Sequence, residues 1–373
     1  MRIAIDGRYI QDHFPGIARY TYNLAASLAE LVDEKIVVYH NPRLPNTRYE
    51  IGNLGRAEML ELRSVDVATF SASEQIRLPV RLWREGIEVY HAPYYVKPYL
   101  VPRASVVTIH DVISDLHPQY LPSRLARVAF HATTRLALAS ADRVIVPSEN
   151  SKLDLVRVFG VKPEKVAVTH YAADPRFGPR DRRGLEEVRQ RYGLPERYVL
   201  YTGINKPHKN LVRLVEAFGA LPRALSARLV IAGKEDVRYP QARLAAEGSP
   251  ARDRIVFLSG ATEEDWPYLY NLAEAFIFPS LYEGFGLPPL EAMASGLPVI
   301  CSNASSLPEV VGDAALLFEP HDVAALAQAM QRLLEDAELR EMLIARGLER
   351  AKAFSWRETA RQTLAVYQEA AGP

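Results

Sequence analysis

One cysteine in 373 residues, Cys301, rules out an internal disulfide framework and fits a reducing compartment. A small core residue is the simplest reading of such a lone thiol, ahead of a nucleophile. No apolar run is long enough to span a bilayer, and Met1 leads straight into the strand-like stretch Arg2–Asp6 without a leader pattern, so a cytoplasmic enzyme is expected. Net charge is lacking too: 45 Lys+Arg balance 45 Asp+Glu, which excludes a general pull toward nucleic acid. The balance is uneven along the chain, with 23 basic and 19 acidic side chains up to residue 180 and 22 and 26 beyond it. No His/Cys/Asp cluster has metal-ligand spacing and no D-x-D pair ends a strand, so no essential metal is expected. The first strand is not followed by G-x-G-x-x-G, so a dinucleotide fingerprint is missing as well.

What is present is a globular composition, 48% apolar and 24% charged, in a chain too long for one ordinary core. Strands are predicted at Arg2–Asp6, Lys35–His40, Glu88–His91, Val106–His110, Arg143–Pro147 and Val166–His170, with helical patterns between several of them. The rhythm restarts at Tyr198–Gly203, Arg228–Gly233, Arg254–Gly260, Ala275–Pro279, Val299–Ser302 and Ala315–Phe318. Alternation of this kind predicts two doubly wound α/β domains, 1–178 and 179–356, joined through the Pro-, Gly- and charge-rich stretch Asp174 to Gly184. A last helix is predicted from Trp356 to about Glu369, capped by Ser355 with Glu358 three residues on.

The most informative stretch is IFPSLYEGFGLPPLEAMASG, residues 277–296. A short buried strand is followed by a loop with Glu283, Gly284, Phe285 and Gly286, then Leu287, Pro288 and Pro289 opening a helix predicted from about Pro289 to Ser295. That start places Glu291 in the first helical turn, with Glu283 eight residues earlier. Free N–H groups and the dipole at such an end attract phosphate, and carboxylates can hold sugar hydroxyls. The same pattern also describes a tight strand-to-helix turn with a capping Glu. Ligands of doubly wound sheets bind beyond the carboxyl ends of the strands, which directs attention to other loops. Gly203, Lys209 and Asn210 follow one strand, and Lys209 at a helix start is a candidate cation for a diphosphate. His110 and Asp111, and separately His91 and Tyr94, sit past strand ends in the first half, where a lone His is otherwise a satisfied structural residue.

The segment E-G-F-G-L-P-P-L-E closely resembles the E-x7-E signature of retaining glycosyltransferases of the GT-B fold, the large family of bacterial mannosyl- and glucosyltransferases and sucrose synthases. The resemblance implies two Rossmann-like domains facing across a cleft, an acceptor-side first domain, a donor-side second domain, and a C-terminal helix, 357–373, returning to the first. It implies that Glu283 contacts the donor sugar, that Phe285 and Gly286 offer main-chain N–H groups, and that Glu291 meets the ribose. By the same resemblance Gly16 brings backbone to the donor phosphates, His110 lies beside the transferred sugar, and the strand ending near Leu258 pairs its main chain with the base. Asp111 would hold His110 or cap the next turn, while His91 and Tyr94 would be acceptor-side lining or plain packing. One position departs from the pattern: many members carry Arg where this chain has Ile204, and His208, Lys206 or a residue from the first domain could replace that charge.

The implied activity is metal-independent transfer of a hexose, with retention, from a nucleotide sugar to a glycan or lipid-linked acceptor, with no cofactor beyond the donor itself. GDP-mannose is the first expectation and UDP-glucose the second. A nucleotide-sugar epimerase of the same fold and a non-catalytic sugar-nucleotide-binding protein are the alternatives. Arg124, Arg127, His131 and Arg135 at helical spacing, and RLPVRLWR at 77–84, suggest a solvated basic face or a partner for acceptor phosphates ahead of peripheral contact with anionic lipid.

Overall fold

A computed structural model of the protein describes residues 1–120 and 123–372. The chain divides into two units, one comprising Met1–Tyr171 together with the segment from Ser355 onward, the other Ala172–Phe354. Each is built on one parallel sheet whose strands read as near-continuous apolar runs because both faces are covered.

In unit 1 the strands are β1 (Ile3–Asp6), β2 (Ile36–His40), β3 (Leu60–Ser64), β4 (Val89–Ala92), β5 (Ala104–Thr108), β6 (Arg143–Val146) and β7 (Val166–Val168). Their order is β3-β2-β1-β4-β5-β6-β7, all parallel. β3 was not expected from the sequence. It is an edge strand, LELRS, whose Glu61 and Arg63 bond each other across alternate positions, so it lacks the apolar run that marks its neighbours. Alternate side chains divide between the two faces. Ala4, Val37, Tyr90, Val107 and Val144 meet Leu78 and Leu82 of helix Glu74–Arg84, Ala137 and Leu138 of helix Arg124–Ser140, and Leu155 of helix Glu149–Phe159. The opposite face carries helix Pro15–Leu28 packed on the last helix, Trp356–Ala371. Ser355 caps that last helix through the Glu358 N–H, and Tyr367 reaches His91 of β4; Pro373 lies outside the described residues.

Unit 2 holds β8 (Tyr198–Thr202), β9 (Arg228–Ala232), β10 (Ile255–Leu258), β11 (Ala275–Phe278), β12 (Val299–Ser302) and β13 (Ala315–Phe318), in the order β10-β9-β8-β11-β12-β13 and all parallel. The stretch predicted as a linker belongs to this unit. Arg176 bonds Glu263, and Phe177 packs edge-on to Tyr270, so the boundary falls before it, at Tyr171/Ala172 rather than near residue 178.

In each sheet the strand order reverses once, between β1 and β4 in unit 1 and between β8 and β11 in unit 2. The crevice at the carboxyl ends of such a pair is where doubly wound sheets take their ligands. A cleft of roughly 370 Å³ in unit 1, lined by Trp83, Glu88, Arg103 and Asp142, opens instead at the amino ends of β4, β5 and β6 and holds none of the candidate residues.

Candidate active site

In unit 2 the two loops flanking the switch point carry Lys209 and Glu283. After β8 the chain turns at Gly203, where φ is +139°, and a Cβ there would lie 2.8 Å from the Tyr201 hydroxyl. The loop is then held by Asn205, whose amide donates to the Asp236 and Tyr239 carbonyls and accepts from the Asp236 N–H. A short turn, Pro207–Lys209, delivers Lys209 beside helix Leu211–Gly219. Its Nζ donates to Glu283 Oε1 at 2.7 Å and lies 5.3 Å from the centre of the Phe278 ring, with both side chains of the pair mostly covered.

The Glu283 loop is shaped by serines that follow β12. Ser305 Oγ accepts the Glu283 N–H at 2.8 Å, and the buried Ser306 hydroxyl lies 3.0 Å from the Glu283 carbonyl and 2.5 Å from that of Phe285. Gly286, at φ +126°, then turns the chain into helix Leu287–Ala294. The helix begins two residues before the predicted Pro289, because both prolines fit the first turn, where their missing N–H groups have no intrahelical acceptor to lose. Glu291 is therefore in the second turn, not the first, and the anion-binding capacity of this helix start is narrowed to the amides of Gly286 and Leu287, which have no protein acceptor among the described residues. Glu291 is 3% exposed and accepts from the Tyr270 hydroxyl at 3.4 Å, which in turn meets Thr202 Oγ1 at 2.7 Å at the end of β8.

Two predicted donor-side residues have partners within the protein. Asn210, at φ +61°, donates from its side-chain amide to the Pro279 and Pro320 carbonyls and accepts from Arg213, so its buried side chain is committed to clamping loops and not to a ligand. The Leu258 carbonyl, at the end of edge strand β10, accepts the Gly233 N–H at 2.9 Å. Around Ile204, His208 is buried, while Lys206 is exposed with its charge felt by Asp236.

In unit 1, Gly16 lies inside helix Pro15–Leu28, and a Cβ there would meet no protein atom within 4 Å. His110 sits two residues past the end of β5. Its Nε2–H donates to the Pro93 carbonyl at 2.7 Å, which fixes the tautomer, and its Nδ1 accepts from the Tyr171 hydroxyl at 2.7 Å. Desolvation lowers its pKa to about 4, so the ring is neutral at physiological pH. Asp111 does not hold it; Asp111 Oδ1 accepts the Ile113 N–H and caps the following turn. His91 is fully buried, with Nδ1 at 2.6 Å from the Tyr367 hydroxyl and Nε2 at 2.8 Å from Thr108 Oγ1, and burial lowers its pKa to about 3. The acceptor-side reading of His91 is thus corrected: a ring with no exposed surface and both nitrogens engaged is packing. Tyr94 is half-buried in an aromatic group with Tyr9, Phe14 and Phe70 at centroid separations of 5.4, 5.5 and 6.2 Å.

The loops after β1 and β3 that frame Tyr94 are tied by a buried ion cluster that sequence reasoning missed. Arg8 bonds both Asp6 and Glu74, the Tyr90 hydroxyl donates to Asp6, and Glu74 accepts the Phe70 N–H. Burial out of reach of water, with the neighbouring Asp6 carboxylate adding to it against the pull of Arg8, pushes the Glu74 pKa up to about 7. The serines under Glu283, the Tyr171–His110 bond and this cluster carry no motif, since each joins residues distant in the chain.

Comparison with known proteins agrees with this fold. Residues 186–350 match the family "Glycosyl transferases group 1" and residues 15–177 match "Glycosyltransferase Family 4". O-antigen chain mannosyltransferase B of Escherichia coli is 33% identical, over 99% of this chain and 100% of its own. The chain belongs to the group 1 glycosyltransferases. Serotype-specific mannosyltransferase WbdA of Escherichia coli is 28% identical over 96% of this chain, which spans 43% of that longer protein. Among solved structures, sucrose-phosphate synthase of Thermosynechococcus elongatus superposes with a TM-score of 0.77 over 99% of this glycosyltransferase and 98% of its own chain at 22% identity. HepE of Anabaena, solved with UDP and glucose, gives 0.76 over 98% of each chain at 20% identity. The glycosyltransferase has the GT-B fold.

Proposed function

We propose that this glycosyltransferase moves a hexose, mannose first and glucose second, from a nucleotide diphosphate sugar to a glycan or lipid-linked acceptor in cell-surface polysaccharide synthesis. It does so on the cytoplasmic side, with retention and without an essential metal. The observation that carries the reading is the Lys209–Glu283 pair at the switch point of unit 2. Each group holds the other's place: an arriving diphosphate takes Lys209, which frees the Glu283 carboxylate for sugar hydroxyls, and charge stays balanced throughout. Lys209 then offsets the charge that grows on the departing phosphate, and the amides of Gly286 and Leu287 add donors that need no reorganisation. Glu291 is assigned to the ribose, supported by the Tyr270 hydroxyl. His110, neutral and fixed in one tautomer, is assigned to positioning a sugar hydroxyl or the acceptor.

Glu283 is assigned to ring hydroxyls, so no carboxylate is left as nucleophile at the anomeric carbon. The acceptor hydroxyl attacks from the face the diphosphate leaves, and the departing phosphate oxygen takes its proton. Mannose and GDP-mannose are favoured because the relatives named above are mannosyltransferases. The test is a panel of nucleotide sugars with and without EDTA, following nucleotide diphosphate release and product anomeric configuration by NMR. GDP release from GDP-mannose, an α-linked product and indifference to EDTA are the expected results. Conversion of a donor to its epimer, or no turnover of any donor, would falsify the assignment.

A further inference from the structure

Among the described residues four that are not glycine have a left-handed backbone: Phe70, Asn210, Ser226 and Ser305, with φ of +66°, +61°, +53° and +49°. Asparagine tolerates this region better than most residue types, and Ser226 lies in an exposed turn after Arg223–Leu225. Ser305 is half-buried, in the turn between β12 and helix Leu307–Val311, where glycine would be unstrained. Backbone strain of this kind persists where the surroundings impose it and gathers at functional sites, so the oxygen that serine keeps there calls for a physical reason.

Three serines of this segment bond the loop that carries Glu283, and they do so in two senses. Ser302 and Ser306 are buried and donate their hydroxyl protons to carbonyls, Ser302 to that of Ser280 and Ser306 to those of Glu283 and Phe285 in a shared bond. Ser305 acts in reverse: its Oγ accepts the Glu283 N–H at 2.8 Å. Glu283 is thus fixed on both sides of its Cα, at the N–H by Ser305 and at the carbonyl by Ser306, while its carboxylate rests on Lys209 at 2.7 Å. Glycine at 305 would relax the turn and delete the acceptor, leaving the N–H of a mostly covered residue without a protein partner. The bond to Glu283 is therefore what serine supplies in return for its strain.

We propose that Ser305 is a positioning residue for the transfer reaction: through the Glu283 N–H it keeps the Glu283 carboxylate in place once the donor diphosphate has drawn Lys209 away. Before the donor arrives the side chain is held from both ends. Afterwards the main-chain anchors alone decide where the carboxylate points. A carboxylate free to pivot would have to be ordered again in every turnover, which raises the barrier to transfer and leaves the binding of the nucleotide portion untouched. The inference rests on the assignment of Glu283 to the donor sugar, and it confines the effect of Ser305 to steps in which that sugar is present.

The test is a double-mutant cycle between Ser305→Ala and Glu283→Gln, with Ser305→Gly alongside, following turnover of GDP-mannose and UDP-glucose, calorimetric affinity for GDP and UDP, and melting curves that report folding. Ser305→Ala should lower turnover about tenfold, the scale of one hydrogen bond in a covered site, with nucleotide affinity unchanged because GDP and UDP carry no sugar. Ser305→Gly should melt no lower than Ser305→Ala, since glycine takes the left-handed backbone freely, and should lose as much turnover. Glu283→Gln should lose about a hundredfold, and adding Ser305→Ala to it should lower turnover no further, because both changes act through one carboxylate. Losses that multiply in the double variant, wild-type turnover in either Ser305 variant, or a fall in nucleotide affinity that matches the fall in turnover would overturn the inference and leave the assignment of Glu283 standing. Full turnover in Glu283→Gln, or turnover of neither donor by the wild type, would instead remove that assignment and the inference with it.

Discussion

The two units share a sheet architecture and put different physics at their switch points. In unit 2 the candidate groups come from two short segments, 203–210 and 279–291, and oppositely charged side chains satisfy one another at 2.7 Å. In unit 1 the corresponding loops present rings: Tyr94 among Tyr9, Phe14 and Phe70, and His110 edge-on to Tyr20 at 5.2 Å. Beneath these loops unit 1 holds a buried charge cluster of Arg8, Asp6 and Glu74. One sheet thus carries its electrostatics where a ligand would meet it, and the other uses electrostatics to hold shape.

The sharpest way to break this contrast is to remove the exposed-side charge of unit 2. Lys209→Ala takes away the cation assigned to the diphosphate and leaves Glu283 mostly covered without its counter-ion. Turnover should fall about a hundred- to a thousandfold, the scale of losing one preorganised electrostatic contact. Donor affinity should change less, because other contacts persist. Comparable, mild losses in turnover and affinity, measured by steady-state kinetics and calorimetry, would show that Lys209 is a solvated helix-start residue.

The matching experiment in unit 1 tests structure and not turnover. Glu74 keeps a proton in the folded state up to about pH 7, whereas in the unfolded chain it releases it near 4.5. Between these values the folded state binds more protons, so this group's contribution is full below 4.5 and is lost as pH rises through 7. The span corresponds to on the order of 3 kcal/mol. Glu74→Gln removes the titration, so melting temperature should lose most of its decline over this window. An unchanged slope would mean that Arg8 keeps both carboxylates ionised.

Legibility followed the same division. Twelve of the thirteen strands are visible as apolar runs between turn residues, and the one missed, β3, hides because an edge strand can afford Glu61 and Arg63. Glu283, Gly286 and Glu291 stand out in the sequence as candidates because the loop and helix that carry them are contiguous. The helix starts two residues earlier than expected because Pro289 suits its third position as well as the first, both lying in the turn whose N–H groups have no intrahelical acceptor. Asn210 and His91 look like site residues beside strand ends, yet their partners, Pro279 and Pro320 for one and Thr108 and Tyr367 for the other, lie too far along the chain to be anticipated. Unit 1's support network is illegible for the same reason.

The smallest expected effect concerns how His110 is held. Tyr171, whose hydroxyl donates to His110 Nδ1, is stacked on Trp356 at 6.1 Å, so the ring is oriented by the last residue of the first stretch of unit 1 and by the first helix residue of its second stretch. Tyr171→Phe keeps the stack and removes one hydrogen bond, leaving Nδ1 without its donor while Nε2–H stays on Pro93. If His110 positions a sugar hydroxyl, turnover should fall up to about tenfold, the scale of one buried hydrogen bond. With its pKa near 4, the ring should add no ionisation to the turnover profile at neutral pH in either protein. A merely structural bond would lower the melting temperature while leaving turnover per folded molecule unchanged, and that result would return His110 to packing, leaving unit 1 with shape alone at its switch point.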